Sequence, residues 1–402
     1  MGYSKEDQEI LQYMMDNGII DLQGCREKIE MAKREEYLEK HPYKIWKGKD
    51  GLWNTYLPDE EKKRIPRRRK TKKEIEDVVI AYWKSQEENP TVKAVYEEWV
   101  HGKLNRNEIQ RATKDRYDRQ FKECFKTIKN RRIKNITDVE LEDFILYTIA
   151  NEQLTRKAYS NFRTLIYGIF RRAKKRKFIS YSITELVSDI EISRKMFRKV
   201  LKEEEDLVFT ETDTDKILTY FANIEMDIID MGLLLLFKTG LRPGELAGLK
   251  SCDAGEGVLD VCRTEIRYLD DNGKTVFEVR DFPKTEAGIR HVIIPENARW
   301  LIKAIKRKNP FGEFLFEVNG ERLLTYQFSQ RLQTICKKLG IKKKSPNKIR
   351  KTYGTILLDN DVDESVIISQ MGHTSILTTK KYYYRDRKNM EHKEKIISDA
   401  LA

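Results

Sequence analysis

Between Leu154 and Lys174 apolar side chains return every three or four residues, at Ala158, Phe162, Leu165, Ile169 and Phe170, while Arg156, Lys157, Arg163, Arg171 and Lys174 lie largely off that stripe. The spacing predicts an amphipathic helix with one buried and one basic side. Helical periodicity extends from Thr91 to about Ile190, so an all-α domain is expected over 88–192. Upstream the pattern changes. YKIWK, the turn GKDG and LWNTYL place aromatic and β-branched residues around an Asp-Gly turn, a hairpin signal. The basic run Lys62 to Lys73 supplies a third strand and EIEDVVIAYW a helix, giving a small three-stranded sheet backed by one helix over 41–87. Residues 1–40 read as polar helix, with Ile10, Leu11 and Met14 on one side and Ile29 and Met31 in a charged surround. The stretch 193–205 (SRKMFRKVLKEEE) has no strong apolar period and many charges, and is the expected linker.

A mixed α+β segment follows over 206–402. A helix ends in LLLLFKTG, and a short one begins at Pro243. A sheet is then expected from VLDVCRTEIRYL, the turn DDNG, KTVFEVRDF and GIRHVIIP, with three further helices after it. A chain of 402 residues exceeds one ordinary core, so two or three domains are expected.

The 78 Lys and Arg residues against 65 Asp and Glu leave a charge of +13, which points to a polyanionic partner without specifying one. Five cysteines (Cys25, Cys124, Cys252, Cys262, Cys336) include no C-x-x-C pair, so neither a disulfide framework nor a zinc site is indicated. No P-loop and no carboxylate cluster typical of a two-metal nuclease is evident in the sequence, so no cofactor or metal is expected. The longest apolar stretch, around Ile228 to Phe237, is broken by Asp230 and too short to span a bilayer. With no basic-then-apolar leader at its start, the chain is expected to be cytoplasmic, with no membrane partner.

Candidate chemistry lies in three places. In TGLRPGELAGL, Gly240 suits the left-handed residue closing a helix and Pro243 the first turn of the next, so Arg242 occupies a fixed corner near a helix N-terminus, a good anion site. Taken alone, an ordinary corner with an exposed arginine is the simpler reading. In VRDFPKTEAGIRHVIIP, Lys284 lies in a connection between strands; by itself such a lysine is a solvated charge. In SPNKIRKTYGTILLDN and SQMGHTSILTTKKYYYR, Arg350 falls early in a helix whose apolar residues include Ile349, Ile356, Leu357 and Leu358, and His373 follows Gly372 at a turn. Tyr382, Tyr383 and Tyr384 end the next element. Adjacent residues on a helix point about 100° apart, so at most one of these phenols faces a given site.

Order and spacing join the three places. Arg242 with Glu245 in GLRPGEL, Lys284 in the PKT segment, Arg350 in NKIRKT, His373 in MGHTSI and Tyr382, nine residues on (382 minus 373), resemble the catalytic domain of the tyrosine recombinase, or phage integrase, family over roughly 205–390. The upstream layout is similar to the arm-binding and core-binding modules of integrases of conjugative transposons and temperate phages. One position departs from the family pattern. Three residues before the second arginine, where histidine is usual, stands Asn347, which donates a hydrogen bond but exchanges no proton near neutral pH.

The resemblance implies a site-specific recombinase for integration and excision of a mobile element, working through a 3′-phosphotyrosyl intermediate with Tyr382 as nucleophile. Arg242 and Arg350 would clamp the phosphate, Lys284 would protonate the departing 5′-oxygen, His373 would hydrogen-bond the phosphate or assist proton movement at the tyrosine, and Asn347 would donate a hydrogen bond to the phosphate. Glu245 would orient the arginines. It also implies double-stranded DNA with core and arm sites as partner, a homotetramer on that DNA, and an excisionase or host DNA-bending protein. Arg64, Arg67, Arg68, Arg69 and Lys70, and on the long helix Arg156, Lys157 and Arg163, are the expected DNA contacts. The basic run reads equally as a solvated linker. Trp46 and Trp53 serve either a groove-binding ribbon or the small domain's core, with core expected for at least one. A catalytically weakened or inactive DNA-binding relative, for which Asn347 is the support, and a topoisomerase-like relaxing enzyme are the competing readings.

Overall fold

The computed structural model describes all residues but 1–9, 11, 12, 16, 20, 60, 61, 201, 202, 204, 205, 271, 282–288, 374–376, 378–384, 389 and 402. Lys284 and Tyr382, with its neighbours Tyr383 and Tyr384, lie outside the described residues. The chain divides into two compact units, Met1–Lys199 and Val200–Ala402.

The first unit opens with helix α1 (Leu22–Glu39) and an antiparallel sheet of β1 (Trp46–Lys47), β2 (Trp53–Asp59) and β3 (Lys63–Arg69), backed by α2 (Lys72–Glu88). The basic run is therefore a strand. Helix α2 starts at a capping box in which Thr71 accepts from the Glu74 amide and Glu74 accepts from the Thr71 amide. Its Ile75 and Val79 are buried, as are Thr55 and Leu57 of β2, and Tyr82 Oη donates to the Pro58 carbonyl at 3.0 Å. Strand alternation puts Trp53 on the face of Thr55 and Leu57, half-buried, whereas Trp46 is 40% exposed and packs on Tyr56 across the opposite face at 5.4 Å. Helix α1 is held to α2 by Arg34 on Glu76 and Asp77 and by Tyr37 on Glu87.

Five helices follow: α3 (Val92–Asn105), α4 (Arg111–Cys124), α5 (Asp138–Asn151), α6 (Arg156–Lys175) and α7 (Ile183–Asp189). Thr91, Thr137 and Thr155 cap three of them with their side-chain oxygens. The stripe read on α6 is the one that is buried: Phe162, Leu165, Ile169 and Phe170 have no measurable exposure, and Phe162 meets Phe125 and Phe144 in an aromatic core. Gly168 is required where α6 crosses α3, because a Cβ there would lie 2.2 Å from the Trp99 ring. The first half of the stretch expected as linker is docked onto this unit, with Phe197 against Tyr159 at 5.5 Å and the Arg198 amide donating to the Leu154 carbonyl. Met196 and Phe197 are the apolar anchors within its run of charges.

The second unit is built around α9 (Ile228–Thr239), preceded by α8 (Glu211–Ala222). Ten of the twelve residues of α9 are buried, so it is a core helix enclosed on every side. The short α10 (Pro243–Gly248) leads to β4 (Val258–Val261), β5 (Arg263–Leu269), β6 (Thr275–Asp281) and β7 (Arg290–Ile293). The expected single sheet is two separate antiparallel ladders, β4 with β7 and β5 with β6. The run VLDVCRTEIRYL breaks at Cys262, beside which Arg263 turns onto Asp253 and Asp281. Among the described residues a further small hairpin, β8 (Glu317–Val318) with β9 (Glu321–Arg322), and five helices rather than three complete the unit: α11 (Trp300–Lys308), α12 (Thr325–Lys338), α13 (Pro346–Asp359), α14 (Glu364–Met371) and α15 (Met390–Leu401). Helices of two turns, such as α11 and α14, are too short for periodicity to separate them from their neighbours.

Candidate functional site

Gly240 caps α9 in the left-handed region (φ 64°), where an added Cβ would lie 2.2 Å from the Tyr353 ring, and Pro243 opens α10. Arg242 is thus the N-cap of α10. Glu245, one turn on, accepts from the Arg242 amide at 2.8 Å and from Arg242 Nη1 at 2.6 Å. The guanidinium keeps 39% of its side-chain exposure, while Glu245 keeps 2%.

Arg350, in the second turn of α13, is buried with 1% exposure. Its Nη1 donates to the Gly240 carbonyl at 2.8 Å, and its Nη2 donates to the Met371 carbonyl and lies 3.1 Å from His373 Nε2. Gly372 closes α14 in the left-handed region (φ 56°) and turns the chain so that His373, 6% exposed, meets Arg350. Arg242 Nη2 reaches the Gly372 carbonyl at 3.5 Å. The two arginines therefore converge on successive carbonyls of one helix end.

A guanidinium only donates, so His373 Nε2 accepts and the imidazole is neutral with its proton on Nδ1. Burial and then the positive charges of Arg350, Arg242 and Arg290 push its pKa down to about 4. Glu245 moves the other way from what its burial favours: desolvation raises its pKa, but hydrogen bonds and charge from Arg290, with Arg350 and Arg242 adding to them, outweigh it and hold the carboxyl at about 2.

Arg290 carries no role in the sequence reading. It is 8% exposed, and its Nη1 and Nη2 donate to the two Glu245 oxygens at 3.0 and 2.8 Å. The alternation of GIRHVIIP contains the signal, since Arg290 falls on the buried side with Val292 while His291 and Ile293 face out. A charged residue in register with core residues implies a buried partner.

Asn347 is exposed in the first turn of α13, three residues before Arg350. The structure brings Arg242, Glu245, Arg350 and His373 together and does not describe Lys284 or Tyr382. Among the described residues no group of three or more His, Cys, Asp or Glu side chains is placed to hold a metal ion. No described helix is long and apolar enough to cross a membrane.

The expected DNA contacts lie in the first unit. Register divides the basic strand: Arg64 and Arg68 share a face with Asn54 and Tyr56, with the Arg64 guanidinium 4.3 Å over the Tyr56 ring, whereas Arg67 and Arg69 share the face of Thr55 and Leu57. Lys70 is exposed beyond the strand end. Arg156, Lys157 and Arg163 are exposed on α6, and Arg163 lies between Tyr159 and Tyr167.

Segments of the chain are 24% identical over 191 residues to the tyrosine recombinase XerD of Oceanobacillus iheyensis (44% of this chain, 56% of that one). They are 28% identical over 170 residues to a XerC-like tyrosine recombinase of Caldanaerobacter subterraneus (37% and 44%). The chain spans about half the length of the curated relatives it matches. In fold it is similar to the integrase of transposon Tn1549 in complex with transposon right end DNA, at 17% identity, 78% and 100% coverage and a TM-score of 0.60. It is also similar to a lambda integrase dimer bound to a core site, at 15% identity, 86% and 95% coverage and a TM-score of 0.52. The fold is thus that of multidomain integrases, with helical and mixed α/β parts and a small antiparallel sheet. Residues 207–390 match the phage integrase family, and Arg242, Glu245, Arg290, Arg350 and His373 all fall within that match.

Proposed function

We propose that this protein is a site-specific DNA recombinase that integrates and excises a mobile element. The observation that supports it is the meeting of Arg242, Arg350 and His373 at one helix end within an integrase-family domain. Tyr382 Oη, its proton released to water, attacks a backbone phosphorus; the new O–P bond forms as the P–O5′ bond breaks, and the 5′-oxygen leaves with a proton from Lys284. The reverse attack by a 5′-hydroxyl of another strand releases the tyrosine and reseals the DNA. Charge growing on the nonbridging oxygens is met by Arg242 and Arg350, whose charge is permanent. The neutral His373 donates from Nδ1, Asn347 adds a hydrogen bond, and Glu245 orients Arg242. Arg350 is closed off from solvent, so its contact with a phosphate requires its surroundings to rearrange when DNA binds.

In this reading residues 41–87 are an arm-type DNA-binding domain preceded by the helical segment 1–40, 88–192 are the core-binding domain, 193–205 join it to the catalytic domain, and 206–402 are that domain. Arg64 and Arg68, with Arg67, Arg69 and Lys70 beside them, contact arm DNA, and Arg156, Lys157 and Arg163 contact core DNA. Four copies assemble on two sites, with an excisionase or a host DNA-bending protein setting direction. The test is covalent trapping on a nicked suicide substrate. Wild type and Tyr383→Phe form a protein–DNA adduct and Tyr382→Phe forms none. Failure of the wild type to form an adduct, under conditions where it binds the DNA, leaves the DNA-binding relative without strand transfer as the correct reading.

A further inference from the structure

Arg290 is a buried cation that the strand-transfer scheme does not use. Besides its two bonds to Glu245, its Nε donates to the Gln370 carbonyl at 2.9 Å. The next two carbonyls, of Met371 and Gly372, receive Arg350 and Arg242. The last carbonyls of a helix have no donor within it and carry its negative pole. At the end of α14 three successive ones each face a different guanidinium, and the chain then turns directly into His373. The contact is reciprocal, since the Gln370 side-chain oxygen accepts from the Ile293 amide at 3.2 Å and so clasps the edge of β7 that β4 leaves unpaired.

Resting on the recombinase reading, we propose that Arg290 is a positioning residue for strand transfer: it neutralises Glu245 from the side opposite Arg242 and pins the turn that carries His373. With Arg290 in place, Glu245 is satisfied by two arginines, and Arg242 keeps N–H groups to offer a phosphate. Without it, Arg242 is the one side chain among the described residues left hydrogen-bonded to a buried carboxylate, which draws its guanidinium inward, and the Gln370 carbonyl loses its donor. A displacement of about 1 Å at a reacting centre costs roughly 100-fold in rate. Arg290 spends its guanidinium on Glu245 and the Gln370 carbonyl and makes no DNA contact in the scheme, so affinity is untouched by this route.

The experiment measures single-turnover adduct formation on the suicide substrate, DNA affinity and thermal stability for wild type, Arg290→Met, Arg290→Lys and the double variant Arg290→Met with Glu245→Gln. Arg290→Met is expected to slow adduct formation about 10- to 100-fold at unchanged DNA affinity. Arg290→Lys, which keeps the charge but cannot serve Glu245 and Gln370 together, falls between it and wild type. The double variant is expected to be no slower than the slower of its two parents, because with the carboxylate gone nothing pulls Arg242 away. A further sign is the pH profile: loss of a positive charge near His373 moves the acid limb of the rate toward higher pH. Wild-type rates in Arg290→Met, losses that track DNA affinity, or losses that multiply in the double variant overturn the proposal. Should Arg290→Met fail to fold, Arg290→Lys and the double variant, which removes both members of the buried Arg290–Glu245 pair, carry the test. The wild type separates the two claims, since its failure to form an adduct sinks the recombinase reading, whereas an active wild type with an equally active Arg290→Met sinks the role of Arg290 alone.

Discussion

Replacing Glu245 by glutamine keeps the shape of the side chain and removes the one negative charge that the described residues place among the three arginines. The consequence for stability follows from the structure. The carboxyl sits at about 2 in the folded protein against an ordinary 4.5, and the gap corresponds to about 3 kcal/mol of preferential stabilisation of the ionised form. The side chain is 2% exposed, so solvent screening does not erode this figure. Glutamine also leaves Arg290 buried without a counter-charge, a situation that costs about 3–5 kcal/mol where it has been produced in other buried pairs. The two estimates describe the same loss and agree at about 3 kcal/mol. For a unit of 203 residues (402 minus 199), each kcal/mol lowers the transition by roughly 2–4 °C, so Glu245→Gln is expected to melt roughly 6–12 °C below wild type at pH 7. Because the folded-state pKa is depressed, the contribution is fully present above pH 4.5 and is lost as pH falls toward 2; at pH 3 roughly half of it remains. Urea unfolding of the second unit at pH 7 and pH 3, wild type beside variant, reads both features. A deficit under about 1 kcal/mol at pH 7, or one that does not shrink at pH 3, refutes the idea that the Glu245 charge is a principal tie of this site.

Three further outcomes are expected. Gly240→Ala forces a Cβ toward Tyr353 from a left-handed backbone and shifts the carbonyl that receives Arg350; denaturation should show a loss of about 1–3 kcal/mol, and trapping assays a slower adduct. His373 has its folded pKa pushed down to about 4, so its contribution to stability is complete above pH 6.5 and is lost as pH falls from there to about 4; His373→Asn should flatten the stability profile across that window, and an unchanged profile refutes the buried neutral imidazole. If Arg64 and Arg68 each neutralise an arm-site phosphate, replacing both by glutamine should reduce the slope of log affinity against log salt by about 1.8, measured by anisotropy titration at several salt concentrations, and an unchanged slope removes that strand face from the DNA contact.

The sequence by itself determined the local pieces of this protein: the corner of Gly240 and Pro243 that holds Arg242, the Arg242–Glu245 pair one turn apart, the turn at Gly372 before His373, the buried stripe of Phe162 to Phe170, and the hairpin around the Asp-Gly turn. Each of these depends on backbone conformations and periodicities set within a few residues, and residue type reports them directly. Only the tertiary structure decided what those pieces face. Arg350 reaches Gly240 and Met371, 110 and 21 positions away, and Arg290 joins Glu245 to Gln370 across separations of 45 and 80. Nothing local to β7 names those partners, although its alternation shows that an arginine is turned inward. The break at Cys262 that makes two ladders of one expected sheet is likewise decided elsewhere, by β4 pairing with β7 and β5 with β6. A buried charge persists only if the fold supplies its counter-charge, and which residue supplies it depends on packing between distant segments that no short-range pattern records.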